Sequence, residues 1–321
     1  MIAALLLATQ PVAACVDERI ALAEIADAIE REYVLPEKAR RAAQRLREQS
    51  ESGVLDQHCD DPEAFAKALT THLRTDMQDD HLYVEYAPNS SAAGDDDWLE
   101  KWRAGAPARG FGVQKVERMP GNIAYLHLTD FYDLDMMKAP LAAAFELVAS
   151  SDGLILDLRD NHGGSPETEW PVQWTFMAAG SPVPLRRESR TGPESDPEEP
   201  QIEWKRYGRE RPLAILVNRN TVSAPEAVAY SLQAQGRAVV IGAPSGGAAN
   251  MLGDGIAVSG GWKIGVPESR PFNPLTGTNW ERSGVIPDMA ADDSHAIATA
   301  RQWLSRQLES KKGGFRTGSR P

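Results

Sequence analysis

The sequence predicts an α/β protein, a largely parallel sheet covered by helices on both faces, preceded by a helical module. Three observations carry this. Residues 153–158, 213–217 and 238–241 are short runs that are apolar throughout apart from Asp157, as in strands buried on both faces. Helical spacing alternates with them, at 134–150, 166–179 and 224–235. From Asp17 to Asp79 the spacing is helical throughout.

In chain order, residues 1–14 read as a secretory signal, with an apolar run from Ile2 to Ala8 and small residues at Ala13 and Ala14. Export leaves Cys15 two alternative fates: a lipid anchor at the start of a mature lipoprotein, or a disulfide with Cys59, the only other cysteine. A helical module is assigned to 15–79, in which three amphipathic segments joined by short polar loops make a small bundle. The α/β core is assigned to 80–308. A strand at 81–86 and a polar linker at 95–107 lead into strands at 111–116 and 123–128. The segment 186–206 is charged and Pro-rich and reads as an exposed loop or hairpin. Strands at 255–258 and 262–266, a loop at 267–280 and an amphipathic helix at 294–308 complete the core, and 309–321 reads as a flexible basic tail.

Composition narrows the function. With 42% hydrophobic and 25% charged residues the chain can bury a sizeable core. A formal net charge of −12 argues against a nucleic-acid or anionic-membrane partner. There is no phosphate-loop motif and no HExxH, and two cysteines are too few for a thiolate zinc site. No metal or organic cofactor is implied.

The chemistry centres on residues 213–236, which read as strand, tight turn and helix. Ser223 stands where the helix begins, beside amides without intrahelical acceptors and at the positive end of the dipole, a place suited to an oxyanion. Ser223-Ala224-Pro225-Glu226 reads equally as a capping box. A nucleophilic serine needs a base, and two histidines have suitable settings: His81 after Asp79-Asp80, and His162 in the turn after the 153–158 strand. In that turn Gly163 and Gly164 offer backbone amides which, with that of Ala224, would form an oxyanion hole.

Gly153-Leu154-Ile155-Leu156-Asp157-Leu158-Arg159 with Asn161, Gly163 and Gly164 resembles a conserved element of the C-terminal processing (tail-specific) serine peptidases and their tricorn-core relatives. Leu216-Val217-Asn218 with Thr221, Ser223, Ala224 and Glu226 is similar to that family's nucleophile motif, and Gly284-Val285-Ile286-Pro287-Asp288 to its closing motif. Residues 246–250 and 273–281 are similar to the branch of the interphotoreceptor retinoid-binding protein. The resemblance implies a crotonase-like α/β core. The family's PDZ domain is missing, since the stretch between Tyr86 and Gly110 is too short for one.

Processing-type members pair the serine with a lysine 25 positions later, where this chain has Ala248, and Lys263 is only a distant fallback. Tricorn-like members use a histidine and a later glutamate instead, which selects His81 over His162 and brings in Glu281. Asp80 stands where those members carry a serine, and two carboxylates beside one imidazole favour its protonated form. The implied reaction is peptide-bond hydrolysis by Ser223, His81 and Glu281. The alternative is a catalytically inactive binding protein for an apolar ligand, a retinoid or lipid, on the same fold.

Overall fold

A computed structural model describes residues 16–52, 61–88 and 97–316. The expected signal at 1–14, Cys15 and Cys59 lie outside the described residues. The elements run α1 (Val16–Glu32), α2 (Pro36–Ser52), α3 (Pro62–Met77), β1 (Tyr83–Tyr86), α4 (Asp97–Gly105), β2 (Val113–Met119), β3 (Ile123–Leu128) and α5 (Leu134–Val148). Next come β4 (Gly153–Asp157), α6 (Pro166–Trp174), β5 (Arg186–Ser189), β6 (Gly192–Pro193), β7 (Leu213–Val217), α7 (Ala224–Ala234) and β8 (Val239–Gly242). The chain closes with β9 (Met251–Leu252), β10 (Ile256–Val258), β11 (Trp262–Gly265), β12 (Pro267–Phe272), β13 (Met289–Ala290) and α8 (Ala296–Arg316).

Two compact units divide these elements. The first holds the described residues before position 96 together with Ser189–Thr191 and Asn250–Ser269. Its helices pack Leu22, Ile25, Ile29, Leu46, Leu69 and Leu73 into one core with Trp262 and Ile264. Those last two come from β11, which pairs antiparallel with both β1 and β10. The module read as helices at 15–79 is thus completed by strands from 180 residues later, because β1 alone has no partner for its backbone groups.

The second unit holds a six-stranded sheet in the order β13-β8-β7-β4-β3-β2, parallel except for the β2/β3 pair. Every residue of β4 and β7 is buried. Alternate residues serve two cores: Leu154, Leu156, Leu213 and Ile215 face the side of α5, α6 and α7, while Ile155, Ala214 and Leu216 meet Ala300 and Leu304 of α8. This two-sided burial is why the strands show no hydrophobic alternation.

Several elements depart from the sequence reading. The linker is helical from Asp97, as α4. His81 lies in a turn and the strand begins at Tyr83. A tight 3₁₀ segment, Ala106–Gly112, delays β2 to Val113. α6 stops at Trp174, its end tightened into turns by bonds such as Phe176 N–H to Gln173 O, 3.2 Å. The start of the loop expected at 267–280 is β12, whose prolines fall where the ladder with β9 demands no N–H, at the strand start and beyond the last pair. α8 continues to Arg316, so residues 309–316 of the expected flexible tail are helical. Among the described residues no helix is long and apolar enough to cross a membrane.

Candidate active site

In the second unit the chain leaves β7 into a turn stitched to the neighbouring strand. Thr221 donates its hydroxyl to Leu158 O (2.8 Å) and accepts the Asn218 N–H (3.0 Å). Val222 N–H reaches Asn161 O at 3.0 Å. Asn161 is buried, and its side-chain amide donates to Leu128 O. The turn after β4 and the turn after β7 are therefore one construction.

Ser223 is forced by it into φ 69°, ψ −118°. That is a position glycine occupies readily and a residue with a Cβ occupies only under strain, at a cost of about 1–3 kcal/mol. Its N–H donates to the Glu226 carboxylate at 2.7 Å, the second half of a capping box. Glu226 does far more than cap. Fully buried, it also accepts the Ser245 hydroxyl (2.6 Å) and the amides of Gly247 (2.7 Å) and Ala248 (3.0 Å). Burial pushes its pKa up, and these donors pull it back.

Gly163 lies against the serine. A Cβ there would meet Val222 O at 3.0 Å and the Ser223 Cβ at 3.1 Å, and would stand 3.7 Å from Ser223 Oγ. At Gly164 (φ 135°) a Cβ would fall 1.9 Å from Phe131 O. Both positions require glycine. Their amides differ: Gly163 N–H is taken by Asn161 Oδ1 at 3.0 Å, whereas those of Gly164 and Ala224 have no acceptor among the described residues. Of the three amides expected to bind an oxyanion, these two are available, and Gly163 supplies the close approach.

Glu281 belongs to the same unit and shares the loop that Glu226 holds. Its carboxylate accepts the Ala249 N–H at 2.7 Å, one residue after the last amide bound by Glu226. The buried Trp280 beside it donates its indole N–H to Ala248 O (3.0 Å), and Arg282 N–H donates to Gly247 O (2.7 Å). Val285 N–H meets Ser245 Oγ, and Asp288 accepts the Val240 N–H of β8. A continuous hydrogen-bonded path thus runs from Ser223 through Glu226 and residues 245–249 to Glu281. Ala248, at the position of the processing-type lysine, offers only its amide. Exposed His162 makes no hydrogen bond among the described residues; the neighbouring Asp160 carboxyl is held below the usual range mainly by Asn220 and Asn218.

His81 and Asp80 lie in the first unit, as does Lys263 on β11. His81 N–H donates to Asp79 Oδ1 at 3.0 Å. Asp79, 1% exposed, also accepts from the Tyr33 hydroxyl (2.9 Å) and the Asn250 side chain (2.8 Å). The His81 Nδ1 is buried without a hydrogen-bond partner among the described residues. Burial lowers the pKa of the imidazole, outweighing Asp79 and Asp80, which raise it. Of the two carboxylates expected to favour the protonated ring, Asp80 and Glu281, Asp80 acts in that direction, but desolvation is the larger effect. The acid the sequence singled out, Asp80, faces solvent, and its neighbour Asp79 does the holding. The only sequence signal for this was the two-residue spacing to His81, which suits an Asx turn.

Among the described residues no group of three or more His, Cys, Asp or Glu could hold a metal ion.

The family model for Peptidase family S41 matches residues 122–291, more than half of the chain and all of the Ser223–Glu281 construction. A carboxy-terminal-processing protease of Bartonella bacilliformis is 27% identical over 186 residues, 54% of this chain and 40% of that protein, so the chain spans two fifths of that relative's length. Among solved structures, a photosystem II D1 C-terminal processing protease superposes with a TM-score of 0.54 at 17% identity, covering 88% of this chain and 96% of the other. A lipoprotein from Streptococcus agalactiae gives 0.60 at 15% identity, covering 90% and 96%. At such identities these two likenesses show the shared mixed α/β fold. The extent of the family match places this chain in peptidase family S41.

Proposed function

We propose that the chain is a serine peptidase acting on peptide or protein substrates, with Ser223 as nucleophile, His81 as general base and Glu281 as the carboxylate that orients the imidazole. The observation that carries this reading is the strained Ser223 at the head of α7, with two unclaimed amides, of Gly164 and Ala224, at its turn. A serine serving only as a cap would have no need of φ 69°.

Ser223 Oγ attacks the peptide carbonyl while His81 takes its proton. The Gly164 and Ala224 amides stabilise the tetrahedral oxyanion, each such donor being worth about 3 kcal/mol in the transition state. His81 then protonates the leaving amine, and water resolves the acyl-enzyme by the reverse route. Asp79 positions His81 through its backbone, and Asp80 keeps a negative charge nearby. The same reading assigns a crotonase-like core without a PDZ domain, a tricorn-like branch of the family, a helical module at 15–79 ahead of a core at 80–308, and an exported protein in which Cys15 bears a lipid or pairs with Cys59.

The test is hydrolysis of an unfolded protein substrate followed by mass spectrometry of the new termini. Cleavage by the wild type that disappears in Ser223→Ala supports the reading. Undiminished cleavage by Ser223→Ala, or no cleavage together with saturable binding of a retinoid or fatty acid, contradicts it.

A further inference from the structure

Beyond the far end of α7 the second unit contains a cavity of about 300 Å³ that the proposed reaction does not use. Arg186, Arg209, Arg237 and Gln235 line it on the polar side. Met177, Val183 and Leu275 supply an apolar wall, and Leu275 is 66% exposed. A volume of this size suits a small organic molecule.

Arg237 is the unusual member. It is only 9% exposed, yet no carboxylate among the described residues pairs with it. Its Nε donates to Phe176 O and its Nη2 to Gly208 O, both at 2.7 Å, leaving Nη1 without an acceptor among the described residues. The Tyr207 ring, 5.8 Å away, is a neutral neighbour. Buried charges are ordinarily paired, because desolvation without compensation is costly. Here the cost shows as a guanidinium pKa pulled down to about 10 by burial, whereas Arg159, bound to the buried Asp157, is shifted upward.

Helix-end electrostatics do not account for it. A cation near the last turn of α7 is favourable, but an exposed one serves equally. The carbonyls there are already satisfied, Leu232 O by the amides of Arg237 and Ala238 and Ser231 O by that of Gln235. Arg209 is exposed and has no ion pair among the described residues, and Arg186 pairs only with Asp196 at the surface. Three guanidinium groups around one cavity, in a chain of net charge −12, form a site whose missing component is an anion.

We propose that this cavity binds an organic carboxylate with a short apolar body, the carboxylate on Arg237 and Arg209 and the body against Met177, Val183 and Leu275. The apolar wall favours such a ligand over inorganic phosphate, which would satisfy the charge alone. α7 is 11 residues long, about 16 Å, so the site is separated from Ser223 by the length of that helix. Binding there is measurable without any peptide-bond chemistry.

Isothermal titration of the full chain with four probes tests this: N-acetyl-leucine, N-acetyl-leucinamide, octanoate and inorganic phosphate. N-acetyl-leucine or octanoate should bind at least tenfold more tightly than the amide and than phosphate. Tighter binding of N-acetyl-leucine identifies a peptide carboxyl end as the source of the ligand, and tighter binding of octanoate a fatty acid. Arg237→Gln should weaken the carboxylate at least tenfold. Exposed Arg209→Glu, which leaves the buried packing intact, should weaken it at least fivefold while fluorophosphonate labelling of Ser223 stays at the wild-type level. Equal affinity for the acid and the amide, phosphate binding as tightly as either carboxylate, or Arg209→Glu binding like wild type would overturn the assignment.

Discussion

The turn carrying Ser223 and the turn carrying His81 share a device. In each, a buried carboxylate accepts the backbone N–H of the residue proposed to act: Glu226 for Ser223, Asp79 for His81. They differ in what that carboxylate achieves. Glu226 gathers four donors and fixes the loop from Ser245 to Ala248, and the serine is strained as a result. Asp79 gathers three and fixes only the backbone at His81, leaving the ring to burial with Nδ1 unbonded. The hydroxyl is thus preorganised by backbone geometry. The imidazole is prepared electrostatically, neutral and desolvated, and in the proposed mechanism Glu281 gives it direction.

The largest effect should come from the serine itself. Ser223→Gly is expected to abolish hydrolysis while raising stability by about 1 kcal/mol, because glycine adopts φ 69° without strain. Peptide cleavage and denaturant unfolding on the same sample check both halves. A destabilised Ser223→Gly would mean that the turn is not strained. His81→Gln comes next, with hydrolysis expected to fall by about 10²–10⁴ through loss of the general base. Circular dichroism melting should change little, since the ring makes no hydrogen bond among the described residues.

The two carboxylates then separate the devices. Glu226→Gln turns an NH₂ toward amide donors and should cost about 3 kcal/mol of stability as well as activity, read by denaturant midpoint. Asp79→Asn should cost less, about 1–2 kcal/mol. Its diagnostic is the pH profile. Asp79 raises the pKa of His81, so removing its charge should move the acid limb of kcat/KM to still lower pH. An unmoved limb would reduce Asp79 to a structural role.

The pH dependence of stability isolates Glu169, buried on α6, whose carboxylate accepts one bond among the described residues, from Gln173. Burial raises its pKa to about 8, without the four donors that offset part of the same effect at Glu226. The folded state then holds a proton that the unfolded state releases above its ordinary pKa near 4.5. Stability should therefore be fullest below pH 4.5 and decline as pH rises toward 8, by at most about 1.4 kcal/mol per pH unit. In Glu169→Gln the melting temperature should lose this slope.

Much of this was legible in the sequence where one segment determined its own structure. The parallel strands were readable because two-sided burial leaves nothing polar in Leu213–Val217, and the Ser223 turn because its cap and helix are local. What escaped depended on partners far along the chain. Glu226 looks like a cap until Ser245, Gly247 and Ala248 arrive from the next loop. Asp79 and Asp80 are equivalent as neighbours, and only Tyr33 and Asn250 decide which turns inward. The amide of Gly163 looked as available as that of Gly164 because an Asx turn with Asn161 is a matter of side-chain rotation. β12 was hidden by its prolines.

In the proposed mechanism a neutral, buried imidazole activates a serine held in a strained turn. The most direct measurement is the rate of fluorophosphonate labelling of Ser223 against pH, in wild type and in His81→Gln. Labelling should be stoichiometric at Ser223, with a wild-type rate that stays high below pH 6.5 before it falls and with most of that rate lost in the variant. Labelling of His81→Gln at the wild-type rate, or a wild-type rate that is already falling above pH 7, would contradict it.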